Sequence, residues 1–418
     1  MDNNLARCLG LLATTTATTI ALTACGGGGD DNPPPAPAVT KGTIAVNLMK
    51  DAPACGFDAV NITVSKLRFR QDFNTDPNAG GWTELSFSPA KKINLLNPAS
   101  VASGATTALG SIELPTGLYT QMALVLDPNT SGTANTVQLA GQPAEIPLET
   151  AATVAGGIRV PIDLKVEDGQ KVEVLFDFNA CDSIQMRGAT YVLKPRPRPV
   201  PGVLNGIGGF VDKTALANNV VITAQKAGTI LATTVPNPGT GEFVLPRLPA
   251  DSYDVVVQAN GRATAVIGAV PVAATGFTSV ATAAAPIPLV TSAVSAISGQ
   301  VTYTAPAVAP DEGTWIMASQ SISANPAIGS AATTVTNRLQ PVDLATGNYT
   351  LTNLPRVSVQ FALYKPALPL TLAAAATSGG NGRYRIETVA PGFINKTGTS
   401  ANINVSSGNA TGVNIALP

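Results

Sequence analysis

An all-β architecture of tandem antiparallel β-sandwich domains, behind a signal peptide and a flexible tether, is predicted by three observations. Apolar residues alternate with polar ones in stretch after stretch, as in Ile44-Ala45-Val46-Asn47-Leu48, which is the period of a half-buried strand. Gly (39) and Pro (33) are abundant and cluster between those stretches, where they supply turns. The 45% hydrophobic content comes mainly from Ala, Val, Ile and Leu interleaved with Thr, and Val and Thr suit pleated strands. That apolar content is enough for packed cores and excludes general disorder. A length of 418 residues leaves room for roughly three domains of about 150 residues each.

Charge and composition exclude several function classes. Only 12% of residues are charged, and 25 Lys+Arg against 26 Asp+Glu give a formal net charge of −1. So even a balance gives no electrostatic reason to expect nucleic acid as a partner. Histidine is absent. The chain therefore has no Ser-His-Asp triad, no Cys-His pair, no His-ligated zinc and no imidazole acid–base step of its own.

The amino terminus reads as export machinery. Arg7 gives a short positive region, Cys8 to Leu22 form a moderately apolar stretch, and Leu22-Thr23-Ala24-Cys25 closes it. That tetrad resembles the bacterial lipobox, and the resemblance implies cleavage after residue 24 and acylation of Cys25. A plain signal peptide cut after Ala24, or a buried thiol, is the alternative. Gly26–Gly29, Asp30-Asp31 and Pro33–Pro35 follow at once, a flexible tether over 25–41 rather than a continuing helix. Gly26 behind the lipid cysteine implies, by the Gram-negative sorting rule, the outer membrane. The Ala-rich stretch from Ala263 to Ala296 is broken by Pro271, Gly276, Pro286 and Pro288, so it fails as a membrane span.

The first domain is expected over 42–200. Val60-Asn61-Ile62-Thr63-Val64, Met122-Ala123-Leu124-Val125-Leu126 and Val172 to Phe178 continue the alternation, with turns at Asp76-Pro77-Asn78, Pro115-Thr116-Gly117, Asp127-Pro128-Asn129 and Glu167-Asp168-Gly169. Residues 91–113 are expected as a short helix or irregular loops. With Cys8 removed and Cys25 acylated, Cys55 and Cys181 are left in an oxidising compartment and are expected to form a disulfide; two buried free thiols, or one redox-active thiol, are the alternatives. Lys194-Pro195-Arg196-Pro197-Arg198-Pro199 is expected as a solvated polyproline spacer, since alternate prolines block both helix and ladder; a contact to phosphate or acidic glycan is the second reading.

Beyond it lies an internal repeat. Thr240-Gly241-Glu242-Phe243-Val244-Leu245-Pro246-Arg247-Leu248-Pro249 recurs 106 positions later as Thr346-Gly347-Asn348-Tyr349-Thr350-Leu351-Thr352-Asn353-Leu354-Pro355. Each copy is a turn, an aromatic-bearing strand and a Leu-Pro corner. The duplication predicts two small sandwiches, 201–292 and 293–418.

Two family resemblances follow from these residues. The stretches GTIAVNLMKDAP (Gly42–Pro53), CGFDAVNITV (Cys55–Val64), LPTGLYTQMALVL (Leu114–Leu126) and FDFNAC (Phe176–Cys181) resemble the bacterial lipoprotein family known as domain of unknown function 4382. The family implies an exported setting and transfers no catalytic residue. Gly241, Phe243, Leu245, Leu248, Pro249 and Tyr253 resemble carboxypeptidase-regulatory-like modules of transthyretin-like fold, although Asp251-Ser252 stands where that family usually has Gly before the Tyr. Such modules are generally non-catalytic spacers or binding units.

Chemistry-bearing patterns are sparse. Ser88-Pro89-Ala90-Lys91 with Lys396-Thr397-Gly398 matches penicillin-binding-protein motifs, but the nucleophile must begin a helix and strand-like residues surround Ser88. Asp163 with Glu167, or Asp177 with Asp182, are the carboxylate pairs for a glycoside hydrolase; solvated turn residues are the plainer account. Asp51 and Asp58, flanking Cys55, are either cation ligands or turn caps. Trp82 and Tyr119 are the candidate ligand-binding aromatics, and Trp82 and Trp315 are each a sugar platform or a core residue. No metal or cofactor is expected. The function expected is a non-enzymatic envelope protein, joined to the membrane by lipid and binding a glycan, a polymer or an envelope protein. An exported carboxylate hydrolase and a purely structural spacer are the alternatives.

Overall fold

Apolar alternation becomes strand, and the apolar faces close three main cores. The computed structural model describes residues 39–72, 80–96, 106–130, 133–150, 156–303, 313–323, 332–389 and 399–417. The lipobox, most of the tether, the turn at Asp76-Pro77-Asn78 and Lys396-Thr397-Gly398 lie outside them. The described residues form strands almost throughout, with short 3-10 turns at Cys181–Ser183 and Lys213–Asn218.

The first sandwich holds β1 (Lys41–Met49), β2 (Phe57–Arg70), β3 (Thr83–Asn94), β4 (Thr106–Pro115), β5 (Gly117–Leu126), β6 (Thr136–Leu139), β7 (Glu145–Thr150), β8 (Ile158–Val166), β9 (Lys171–Asp177), β10 (Ile184–Arg187), β11 (Thr190–Leu193) and β12 (Arg198–Pro199). A four-stranded sheet, β12-β9-β1-β4, faces a larger one, β10-β11-β7-β6-β2-β5-β8, with β3 also on β2. Between them Ile44, Val46, Leu48, Ile62, Leu67 and Phe176 are fully or almost fully buried. The helix or loop expected over 91–113 is replaced, among the described residues, by the end of β3 and most of β4. Ile93 and Leu109 supply buried apolar positions there, and tertiary burial outweighs the weak local signal.

The second sandwich holds β13 (Asn205–Phe210), β14 (Val221–Lys226), β15 (Thr229–Thr234), β16 (Glu242–Pro246), β17 (Asp251–Gln258), β18 (Ala265–Val272) and β19 (Gly276–Ser279). The third holds β20 (Val294–Tyr303), β21 (Trp315–Ile322), β22 (Thr333–Pro341), β23 (Asn348–Pro355), β26 (Arg383–Val389), β27 (Thr399–Asn404) and β28 (Ile415–Leu417). The intervening β24 (Val359–Leu363) and β25 (Ala373–Ala375) leave it: they extend the second sandwich's sheet to β15-β14-β17-β18-β24-β25. The sequence reading put this segment in the last module; instead β24 pairs in parallel with β18. A separate core of Val256, Val266, Ile322, Val335, Val359 and Phe361 fills the seam.

Each sandwich is built on one plan. Its first strand pairs antiparallel with a hairpin strand and parallel with a late one: β1 with β4 and β9, β13 with β16 and β19, β20 with β23 and β28. The expected antiparallel pairing is thus dominant but mixed with parallel pairs, which need long crossovers that a whole module supplies. A tyrosine hydroxyl closes the Leu-Pro corner each time: Tyr119 donates to the Pro115 carbonyl at 3.0 Å, Tyr253 to Pro249 at 2.7 Å and Tyr384 to Pro355 at 2.6 Å. In the third module β24 follows the corner and departs, so the tyrosine comes from β26 instead.

The repeat of 240–249 and 346–355 holds at atomic level. Gly241 and Gly347 have φ of +78° and +72°, and a Cβ on either would lie 2.3 Å or 2.2 Å from the carbonyl oxygen of Val211 or Val301. Only glycine fits such a left-handed close approach.

Lys194–Pro199 is no solvated spacer. Arg198–Pro199 lies as an edge strand on β9, where proline is tolerated. The Arg198 guanidinium donates to Asp177 Oδ2 at 3.0 and 2.8 Å. The Lys194 amide donates to the Ser183 carbonyl at 2.7 Å, and Arg196 stacks 4.3 Å from the Trp315 ring centroid. More hydrogen bonds join the modules. Gln185 Nε2 donates to the Thr314 carbonyl at 3.0 Å, and the Leu344 amide to the Met186 carbonyl at 2.8 Å. Gln225 and Thr336 exchange a reciprocal pair at 2.8 and 2.9 Å. Thr40–Pro418 is accordingly one compact unit.

Candidate functional site

Where the three sandwiches meet, they enclose a cleft of about 470 Å³. Its first wall is the segment after β1 and the turn after β9, stapled by a disulfide between Cys55 and Cys181 with Cα atoms 5.4 Å apart. Cys55 precedes β2 of the large sheet and Cys181 follows β9 of the small one, so the bond ties the two sheets together. The second wall comes from β14 and β15, and the third from Arg338 to Pro341 of β22.

A carboxylate cluster lies beside the disulfide. The carboxyl of Asp51 lies beside that of Asp177. Asp51 Oδ2 also accepts from the Ala180 amide at 2.5 Å, while Asp177 accepts from the Asn179 amide at 2.9 Å and from Arg198. Burial first, then the adjacent Asp177 charge, hold the Asp51 carboxyl well above the usual carboxylate range. Burial likewise raises Asp182, whose Oδ2 accepts from Asn179 Nδ2 at 3.0 Å. The cluster is a clasp: it joins the end of β1, the β9 turn and β12, and each interaction closes on the protein.

The clasp makes stability depend on pH. Below the ordinary value of 3.8, Asp51 is protonated whether the chain is folded or not. Above it the unfolded chain releases the proton and the folded chain holds it, so stability falls as pH rises towards the folded pKa. In Asp51→Asn the amide mimics the protonated acid, accepting from Ala180 and donating to Asp177. We expect this variant to be more stable than wild type at pH 7 by about 1–3 kcal/mol, the scale of an uncompensated buried polar group. The gain should vanish near pH 3. Urea midpoints across that range check it; a destabilised variant at pH 7 contradicts it.

The other candidates fall elsewhere. Tyr119 is a corner residue, 2% exposed, with its hydroxyl bonded to the Pro115 carbonyl, so it offers no surface to a ligand. Trp82 sits half-buried at the foot of β3 with Arg70 5.7 Å from its ring centroid, away from the cleft lining. Trp315 is fully buried. Asp58 caps a turn by accepting from the Gly141 amide at 2.8 Å, whereas Asp51 meets Asp177. Glu167 pairs with Lys165 at 2.7 Å on the surface. Ser88 and Lys91 lie inside β3, and Lys91 donates to the Leu109 carbonyl at 2.6 Å, so no helix begins at Ser88. Among the described residues no group of three or more His, Cys, Asp or Glu side chains is arranged to hold a metal ion, and no helix is long and apolar enough to cross a membrane.

Residues 41–195 match the family model described as domain of unknown function DUF4382, which coincides with the first sandwich. No curated protein matches the chain. Among solved structures, the chain is similar to a cohesin–X-dockerin complex from Acetivibrio cellulolyticus (23% identity, 22% of this chain and 59% of that one, TM-score 0.18). It is also similar to a streptococcal ancillary pilin (10% identity, 90% and 99%, TM-score 0.17) and to the major pilin SpaA of Corynebacterium diphtheriae (12% identity, 90% and 99%, TM-score 0.15). At these TM-scores the superpositions define no shared fold.

Proposed function

We propose that this is a non-enzymatic, lipid-anchored protein of the bacterial envelope, held at the outer membrane through Cys25, that presents a rigid β-sandwich block to a glycan, polymer or protein partner. The observation that carries the non-enzymatic reading is that the cleft's acidic side chains are spent on structure. A glycosidase needs two carboxyls on opposite sides of the scissile bond, about 5–9.5 Å apart; Asp51 is held by the Ala180 amide, and Asp177 by the Asn179 amide and Arg198 instead. The absence of histidine points the same way.

The anchor rests on Leu22-Thr23-Ala24-Cys25 and the Gly/Pro-rich run behind it. Acyl chains contribute about 0.8 kcal/mol per buried methylene, and more than one chain gives stable attachment. In Cys25→Ser we expect the protein to move from the membrane to the soluble fraction and to lose the acyl mass. If the variant stays with membranes at a mass changed only by the substitution, the anchor assignment is wrong.

A further inference from the structure

We infer that the three-module cleft is a binding site for a short, neutral saccharide. The inference rests on the reading that the protein binds its ligand without turning it over, and it names the ligand class for that reading.

The chemistry of the free groups carries it. Each charged side chain lining the cleft is already engaged. Asp177 is bonded to Arg198, Asp51 to the Ala180 amide, and Asp182 to Asn179. Arg338 gives its donors to the carbonyls of Thr352, Asn353 and Asn337 and to Gln258 Oε1. Each of these charged side chains thus has hydrogen-bond partners within the protein. The lining side chains that make no hydrogen bond among the described residues are neutral: the Tyr191 hydroxyl, the Asn219 and Asn260 amides and the Thr233 hydroxyl. Each both donates and accepts, which matches sugar hydroxyls, themselves donors and acceptors.

The walls add an apolar face. Phe57 and Tyr191 meet edge to face with centroids 5.8 Å apart, and Ile230, Leu231 and Leu339 are also part of the lining. An aromatic and aliphatic surface beside neutral amides suits a pyranose ring, which carries C–H faces and a hydroxyl rim. A volume of about 470 Å³ falls within the rough 300–1,000 Å³ range of small-ligand sites. The walls are fixed in advance by the disulfide, the clasp and the seams between modules, so little ordering cost remains for binding.

The test uses the full chain in a detergent without sugar headgroups. It is screened on an array of neutral and anionic glycans and then titrated calorimetrically with the neutral mono- and disaccharides that bind. Ligand reaches about 10 mM, enough to saturate a 1 mM Kd. Tyr191→Phe keeps the ring against Phe57 and removes only the hydroxyl; Asn260→Ala removes one amide. Each is expected to weaken binding about 3- to 10-fold, the scale of one neutral hydrogen bond. Unchanged melting of both variants separates lost contacts from lost folding. No binding to any neutral glycan, preference for anionic glycans, or affinity indifferent to both substitutions overturns the inference. Chromatography of the recovered sugar distinguishes the two claims: cleaved sugar sinks the non-enzymatic reading, whereas intact, unbound sugar sinks the saccharide site alone.

Discussion

Replacing Cys55 and Cys181 together by serine is expected to lower stability by about 5 kcal/mol, the loop-entropy value for so long a closed loop. The crosslink spans 126 positions, and it joins the two sheets of the first sandwich at the edge of the cleft. Without it the unfolded chain gains the freedom of that whole loop. The segment carrying Asp51 also loses its covalent tether to the turn carrying Asp182, so the clasp is expected to loosen before the sheets separate. Equilibrium denaturation in urea, with and without reductant, measures this. Wild type under reducing conditions should fall to the level of the double variant. A loss below about 1 kcal/mol, within the range of ordinary surface substitutions, would show that other contacts hold the sheets.

The second large effect is expected at Trp315. Its indole is fully buried at the start of β21 and has Arg196 of the first module's tail stacked on it. Truncation to alanine should cost about 3–5 kcal/mol, as for other buried aromatics. It also removes the face on which a half-buried guanidinium rests, and a desolvated cation–π contact contributes up to about 2 kcal/mol. Trp315→Phe keeps a face for Arg196 and should cost clearly less. A double-mutant cycle of Trp315→Ala with Arg196→Ala separates core volume from the contact between modules. If the costs of Trp315→Ala and Arg196→Ala simply add in the double variant, the stack contributes nothing to stability and the tail is held by its backbone bonds and Arg198.

Much of the fold was legible in the sequence, for identifiable reasons. Ile44, Val46 and Leu48 alternate because one face of β1 is buried, and period two is the signature of that arrangement. The Gly241 and Gly347 repeats were visible because a left-handed turn against a carbonyl admits no other residue. The Cys55–Cys181 pairing followed from counting thiols. A further signal was present and missed: Leu114-Pro115-Thr116-Gly117-Leu118-Tyr119 and Leu248-Pro249-Ala250-Asp251-Ser252-Tyr253 share a spacing that ties the first sandwich to the plan of the second. Seen so, Tyr119 is a corner hydroxyl and not a ligand contact.

What was not legible is tertiary. Nothing local in Val359–Leu363 says that the strand will pair with β18 of the preceding module. Asp51 and Asp177 are far apart in sequence, and only the parallel pairing of β1 with β9 brings their strand ends together. The proline-alternating tail gives no local sign of its pairing, since edge strands accept proline and whether a segment meets an edge depends on the rest of the chain. The cleft has the same origin: its walls come from three modules, and no single stretch of sequence encodes it.

The three sandwiches form one mechanical block rather than beads on a string, with the shared β18–β24 sheet, the Gln225–Thr336 pair and the Arg196–Trp315 stack as its joints. Scanning calorimetry of the intact chain tests it most directly. One endotherm is predicted, with calorimetric and van't Hoff enthalpies in agreement, and Trp315→Ala should shift the whole transition to lower temperature. Two or three separable transitions, with the substitution moving only the one that belongs to the third sandwich, would contradict it.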